Sequence, residues 1–217
     1  MIDTPSTSYP LIVVDWGTTN RRAYLIDASA AIIDRREDTL GILSAPLKGF
    51  VNALGGLIGG WRDVATAGPP ILMSGMVGSR QGWIEATYLK CPVDTSLLKA
   101  NLVAVPDVED ACIVPGVCLP PVGARRDVMH GEEIQVLGAL ADSGRNDAML
   151  CLPGTHNKWV RGEGGCLTDF VTAMTGEVYR VMCDHSILGA LYSGRSASRR
   201  RGLLAGRQGY PAILGGC

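Results

Sequence analysis

Asp15-Trp16-Gly17-Thr18-Thr19 brings a carboxylate, a glycine and two hydroxyls together directly after the apolar run Leu11–Val14. A glycine in that place lets a turn bring backbone N–H groups against an anion, and the hydroxyls add donors. A carboxylate at a strand end can hold a hydrated Mg²⁺ beside a polyphosphate. The same residues also suit an ordinary hairpin with an aspartate turn. Pro153-Gly154-Thr155-His156-Asn157-Lys158 is the counterpart: a second glycine turn after an apolar run, with hydroxyl, amide and ammonium groups. Lys158 could sit on a phosphate as a point charge. Facing the first turn across a cleft, this loop would form the second jaw of a phosphate clamp.

Gly131-Glu132-Glu133 supplies a carboxylate that could take the proton of an alcohol during phosphoryl transfer. Acidic residues near a helix N-terminus also serve as dipole partners, and Asp127 is a competing base or a cap. Ser74-Gly75-Met76-Val77-Gly78-Ser79, with Trp83, Glu85 and Tyr88 after it, suits a pocket for a small polyhydroxylated ligand. A tight loop lidded by Trp83 and Tyr88 is the plainer alternative. Arg21, Arg22, Arg125 and Arg126 are candidates to meet an anionic substrate. His130, His156 and His185 have no metal-ligand spacing and read as polar contacts.

These groups need elements to hold them. Leu11–Val14, Ala23–Ile26 and Ala31–Arg35 read as a strand meander around the first turn. Phe50–Trp61 has apolar residues at helical spacing despite Gly55, Gly56, Gly59 and Gly60. Ile71–Met73 reads as a buried strand, with Asn101–Val105 and Cys112–Val114 as two more. Asp127–Leu140 is predicted as a helix with a polar stop at Asp142–Asn146. The pattern then restarts: Ala148–Leu152, Trp159-Val160 and Leu167–Ala173 repeat the meander, and Thr175–Leu191 reads as a helix. Two meanders, each followed by helical material, predict a duplicated α/β architecture with a boundary near Ser143–Asp147.

Composition narrows the function classes. The chain has 217 residues, 47% hydrophobic and 19% charged, which excludes a disordered chain. Its 20 basic and 21 acidic residues give no reason to expect nucleic acid or an anionic membrane surface as partner. Neither a membrane-spanning apolar run nor a secretory signal in Met1–Pro10 is evident, so a soluble cytoplasmic protein is expected. The seven cysteines are scattered singly, as expected of reduced thiols packed as small hydrophobes.

Ile12–Asn20 (IVVDWGTTN) resembles the first phosphate motif of the actin-like, ribonuclease-H-like sugar kinases. Within them the chain is similar to the 2-dehydro-3-deoxygalactonokinase family through MSGMVGSRQGWIEATYL at 73–89, IVPG at 113–116 and DVMHGEEIQVLGA at 127–139. LPGTHNKWV at 152–160, DFVTAMTGEVY at 169–179 and HSILG at 185–189 continue the likeness. The resemblance implies an α/β actin-like ATPase (ribonuclease-H-like) duplicated fold and ATP-dependent phosphorylation of the 6-hydroxyl of 2-dehydro-3-deoxy-D-galactonate, for galactonate catabolism.

The resemblance also assigns roles. Asp15, Gly17, Thr18 and Thr19 would form the ATP phosphate and Mg²⁺ loop, with Asp15 as metal ligand and part of the catalytic set. Gly154, Thr155 and Lys158 would form the second phosphate loop. Glu132 or Glu133 would be the base, because GEE also resembles the catalytic glutamate motif of the related exopolyphosphatases. Ser74, Gly75, Met76, Gly78, Ser79, Trp83, Glu85 and Tyr88 become the sugar-acid pocket.

On this reading residues 1–145 form the first ribonuclease-H-like domain and 146–192 the start of the second. Residues 193–217, with Arg199-Arg200-Arg201, form an atypical tail, so the second domain reads as truncated and the chain as an inactive or poorly active kinase. The expected partners are the sugar acid and ATP, with a homo-oligomer left open. A phosphatase or polyphosphate hydrolase of the same superfamily, and a non-catalytic sugar-acid-binding remnant, are the alternatives.

Overall fold

The computed structural model describes residues 10–44, 49–64, 68–121 and 125–190. The predicted tail at 193–217 and Leu191 lie outside them, as does most of Met1–Pro10. The chain divides into two compact units. The first takes in the chain to Lys90, Thr95–Cys118 and Val128–Ile134; the second takes in Cys91–Asp94, Leu119–Asp127 and everything from Gln135.

In the first unit β1 (Leu11–Trp16), β2 (Arg21–Ile26) and β3 (Ile32–Asp38) form the expected antiparallel meander. Helix α1 (Phe50–Ile58) follows, then β4 (Ile71–Gly75), which returns to pair with β1 in parallel. After β5 (Leu89–Lys90), α2 (Thr95–Ala100) and β6 (Val103–Ala104) comes β7 (Ala111–Ile113), parallel to β4. The six-stranded order is β3-β2-β1-β4-β7-β6, so the chain leaves β1 to one side and later returns on the other. Ligands of open α/β sheets bind beyond the carboxyl ends of strands at such a reversal.

Alternation buries one row of β1, Ile12, Val14 and Trp16, under Leu54, Leu57 and Ile58 of α1 and beside Ile71 and Met73 of β4. The helix stops at Ile58, short of the expected Trp61, because Gly60 takes the left-handed region at φ 85°.

Asp127–Leu140 is not one helix. Val128–Met129 is strand β9, paired to β8 (Val117–Cys118), which also holds β5 in a small three-stranded sheet. Gly131 then turns at φ 99°, a value incompatible with a right-handed helix, and α3 runs from Glu132 to Ser143. Its first turn, to Ile134, belongs to the first unit and the rest to the second.

The second unit repeats the meander as β10 (Ala148–Leu152), β11 (Asn157–Glu163) and β12 (Cys166–Ala173), all antiparallel. Leu150, Leu152, Val160 and Phe170 share its buried face. A Cβ on Gly162 would stand 2.7 Å from Leu140 Cδ1, so this glycine lets α3 pack closely on the sheet. The predicted helix 175–191 is broken: α4 spans Thr175–His185, Ser186 is extended, and α5 spans Ile187–Ala190.

Candidate active site

Asp15 is the last side chain but one of β1, level with Ser74 on β4 and Arg22 on β2. Its carboxylate, 36% exposed, accepts a hydrogen bond from Arg22 Nη1 at 3.2 Å. Burial raises its pKa above the ordinary carboxylate value, and the Arg22 cation opposes the rise without cancelling it.

The following turn is held by its backbone. Gly17 N–H donates to the Asn20 carbonyl at 2.9 Å, and the carbonyls of Gly17 and Thr19 accept from Ile42 and Gly41 at 3.0 and 2.9 Å. With those carbonyls turned onto residues 41–42, the exposed Thr18 and Thr19 hydroxyls have no hydrogen-bond partner among the described residues. A Cβ on Gly41 would collide with the Thr18 carbonyl, so this strap requires glycine. Sequence reasoning missed Gly41, an isolated glycine between Leu40 and Ile42 without polar company.

Glu133 belongs to the same unit. It is 0% exposed, and both of its oxygens accept the Gly131 N–H at 2.8 Å. Burial pushes its pKa up to about 8; backbone hydrogen bonds oppose that, and the charges of Glu132 and Asp15 add to it. Glu132 is half-buried and accepts the His130 N–H at 3.1 Å. Two glycines make the proximity to Asp15 possible. A Cβ on Gly131 would stand 3.1 Å from Gly75 Cα, and one on Gly75 would stand 2.8 Å from the Trp16 carbonyl and 3.4 Å from Asp15 Oδ1.

The segment expected to form the sugar-acid pocket divides in its duties. Ser74 and Ser79 are buried, and Ser79 Oγ donates to the Met76 carbonyl at 2.8 Å, closing the tight turn Met76–Gly78. Trp83 stacks on Phe50 at 5.5 Å and meets Trp16 edge-on, so it packs against the core. Tyr88 lies against the His130 ring at 4.6 Å. Burial raises the Tyr88 hydroxyl pKa, and the charges of Cys118, Glu85 and Glu133 raise it further. Glu85 and Tyr88 thus sit in the electrostatic neighbourhood of Glu133, whereas Ser79 and Trp83 hold the segment's shape.

In the second unit, Gly154 N–H donates to Asn157 Oδ1 at 2.9 Å, and the Thr155 carbonyl accepts from Glu177 in the first turn of α4 at 3.0 Å. A Cβ on Gly176 would collide with the Gly154 carbonyl, so the loop rests directly on the helix start. His156 Nε2 meets Glu177 Oε2 at 2.5 Å. Lys158 is buried in an internal cluster. Its ammonium donates to Thr172 Oγ1 at 2.6 Å and to Asp127 Oδ1 at 3.3 Å. Asp127 also accepts the Thr172 N–H at 2.7 Å and hydroxyl at 2.6 Å. Burial alone would raise the Asp127 pKa, but Thr172 and Lys158 outweigh it and hold the value down. These contacts bind Asp127 and Lys158 to each other.

The arginines also separate. Arg21 is 2% exposed, bridged to Asp38 at 2.8 Å and bonded to the Ala53 carbonyl, which makes it a brace within the fold. Arg125 pairs with Asp169 at 3.0 Å. No helix of the described residues is long and apolar enough to cross a membrane.

A mixed sheet ordered 3-2-1-4, with Asp15 near the end of its first strand, defines an α/β domain of the ribonuclease-H-like class. The comparisons make this specific: residues 15–212 match the family described as 2-keto-3-deoxy-galactonokinase, and the chain belongs to that family. It is 39% identical over 178 residues to a Rhizobium meliloti (strain 1021) protein named "Probable 2-dehydro-3-deoxygalactonokinase DgoK1", covering 81% of this chain and 56% of that protein. It is 36% identical over 179 residues to the Escherichia coli (strain K12) protein named "2-dehydro-3-deoxygalactonokinase", covering 82% and 58%. A Sinorhizobium meliloti protein of the same description, known from its crystal structure, superposes with a TM-score of 0.74 at 36% identity, over 83% of this chain and 58% of that one. The chain thus spans somewhat more than half the length of these relatives.

Proposed function

We propose that this chain carries the acceptor site, and part of the nucleotide site, of an ATP-dependent kinase acting on the 6-hydroxyl of 2-dehydro-3-deoxy-D-galactonate, in galactonate catabolism. The observation that carries the reading is the close approach of the Gly131 turn, which holds buried Glu133, to Gly75 beside Asp15 inside one unit, made possible by the bare backbones of the two glycines. The names of the relatives, all kinases, support the reading over a hydrolase.

Phosphoryl transfer needs positioning and charge compensation more than covalent help. Glu133 is assigned as the group that takes the hydroxyl proton, because it is buried and feels the charge of Asp15. With its pKa raised to about 8, the Glu133 carboxyl acts as base in its ionised form, which binds the proton it takes more strongly than an ordinary carboxylate does. Glu85 and Tyr88 are assigned to the hydroxyls of the sugar acid. Gly17, Thr18 and Thr19 are assigned to ATP phosphates, with Gly154 and Thr155 as the second loop; Lys158 shapes that loop from beneath, through Asp127 and Thr172.

Among the described residues no three His, Cys, Asp or Glu side chains gather as a metal cage. Asp15 offers one hard oxygen ligand, which suits a Mg²⁺ that keeps water and phosphate oxygens as its other ligands. Bound there, Mg²⁺ would offset charge on the transferring phosphoryl group.

The test is ADP release from MgATP with and without the sugar acid, by the chain alone and by the chain joined to the part of the Rhizobium meliloti relative it does not span. Acid-dependent ADP is expected. Release independent of the acid, or no release even from the joined protein, contradicts the proposal.

A further inference from the structure

The small sheet β5-β8-β9 ends where the Glu133 turn begins, and its last row joins three separate stretches of chain. Leu89 pairs with Val117 and Val117 with Met129, so one step further Tyr88, Gly116 and His130 stand abreast with Gly116 in the middle. The Leu89 N–H donates to the Gly116 carbonyl at 2.9 Å, which holds the row in register. Strands on either side of a middle strand lie roughly 9–10 Å apart. The rings of Tyr88 and His130 nevertheless meet with centroids 4.6 Å apart, tilted by 50°. They do so because the residue between them has no side chain: a Cβ on Gly116 would stand 2.5 Å from His130 Nδ1 and 2.6 Å from the Met129 carbonyl. Rings that lean over a bare glycine in a sheet also shield its backbone, and both ring nitrogens of His130 are shut off from solvent.

This row is tied to the site at both ends. Val114, two residues before Gly116, donates its N–H to the Met73 carbonyl of β4 at 2.8 Å. Ile113 packs so closely on the turn after β4 that a Cβ on Gly78 would stand 2.9 Å from its Cγ2. At the other end, the peptide that joins His130 to Gly131 carries the N–H that both Glu133 oxygens accept. The N–H of His130 itself is accepted by Glu132. Displacing the His130 ring therefore shifts the peptide that holds Glu133. Besides burial, the charges of Cys118, Glu85 and Glu133 act on the Tyr88 hydroxyl, which puts it in the same neighbourhood as that carboxyl.

We propose that His130 is a positioning residue: stacked on Tyr88 across the bare backbone of Gly116, it locks Tyr88 and the Glu133 turn into one piece. The inference rests on the assignment of Tyr88 and Glu133 to the acceptor site. An aromatic pair contributes orientation beyond the area it buries, and transfer to a hydroxyl is sensitive to small errors of placement. The part of His130 is played through Tyr88 and Gly131 rather than by contact with the acceptor. Gly116, the last residue of the IVPG segment, serves the same end by staying bare.

Three variants test it: His130→Ala, His130→Phe, which keeps a flat ring, and Gly116→Ala, which drives a methyl group between the rings. Without ligand, amide exchange at Gly131 should quicken by roughly tenfold in His130→Ala and Gly116→Ala, and His130→Phe should restore most of the protection. His130→Ala adds no bulk and decides the matter if Gly116→Ala does not fold. In calorimetric titration with 2-dehydro-3-deoxy-D-galactonate, these two variants should bind roughly three- to tenfold more weakly than the parent, with His130→Phe recovering most of the loss. In the joined protein, KM for the acid should rise by the same factor while KM for ATP holds; a general loosening of the fold would instead lower kcat and leave both unchanged. Unchanged exchange at Gly131 overturns the proposal, as does His130→Phe binding as weakly as His130→Ala, or an equal rise in both KM values. A parent chain that takes up no acid contradicts the acceptor-site reading instead, and exchange at Gly131 then decides the row by itself.

Discussion

The carboxylate of Glu133 accepts the Gly131 N–H through both oxygens, at 2.8 Å each, two residues away in sequence. The bond exists because Gly131 takes φ 99°, which turns its N–H back toward the first turn of α3. A buried carboxyl is thereby fixed by local backbone geometry, and its position beside Asp15 depends on a residue without a side chain.

Replacing Gly131 by Ala should therefore cost stability and misplace Glu133 together. The left-handed conformation strains any L side chain, and the new Cβ would press on Gly75 Cα at 3.1 Å. A loss of about 1–3 kcal/mol is expected, read from the urea midpoint of unfolding. An unchanged midpoint would show that the turn relaxes freely.

The raised pKa of Glu133 makes stability depend on pH. Between the unfolded value near 4.5 and the folded value of about 8, the folded chain keeps a proton that the unfolded chain has released. Stability must then fall as pH rises through this window, at up to about 1.4 kcal/mol per unit. Asp15 is shifted in the same direction, and Asp127 acts only at lower pH. Thermal unfolding of Glu133→Gln should accordingly vary much less between pH 5.5 and 8 than that of the parent; parallel curves would refute the assignment of the buried proton.

The Lys158–Asp127–Thr172 cluster predicts that two losses, combined, largely cancel. Lys158→Met alone leaves Asp127 without its cation, and Asp127→Asn alone leaves a buried ammonium poorly compensated. Each should destabilise by roughly 2–4 kcal/mol, less for Lys158→Met because the carboxylate it leaves behind is partly exposed. The double variant should recover much of the loss, which chemical denaturation of all four proteins measures through a mutant cycle. Additive losses would mean that the pair is not coupled.

Asp15→Asn keeps the shape of the strand end while removing the negative charge. Acid-dependent ADP release in the joined protein should drop by roughly a hundredfold or more, with circular dichroism unchanged. Near-normal turnover would remove Asp15 from the site.

Much of this was legible in the sequence. Short apolar runs on either side of polar glycine turns marked β1, β2 and the second meander. Asp15 and the glutamate pair were found by residue type at element ends. What was not legible depended on backbone φ and on distant packing. Gly131 lies inside an apolar pattern of helical period, so the strand Val128–Met129 was hidden until its partner Val117–Cys118 was known. Lys158 reads as a loop-end ammonium, but its register opposite Leu152 turns it to the buried face, onto Asp127 and Thr172. Trp83 has the look of a pocket lid, yet Phe50 and Trp16, far away in sequence, draw it into the core.

The central claim is that the sugar acid is received at the Asp15–Glu133 end of the first unit. Titrating 2-dehydro-3-deoxy-D-galactonate into the isotope-labelled chain, and following backbone amide shifts, tests it most directly. The account predicts saturable shifts at Gly75–Gly78, Tyr88 and Gly131–Glu133, weakened by Glu133→Gln. Binding that leaves all of these amides unmoved would contradict it.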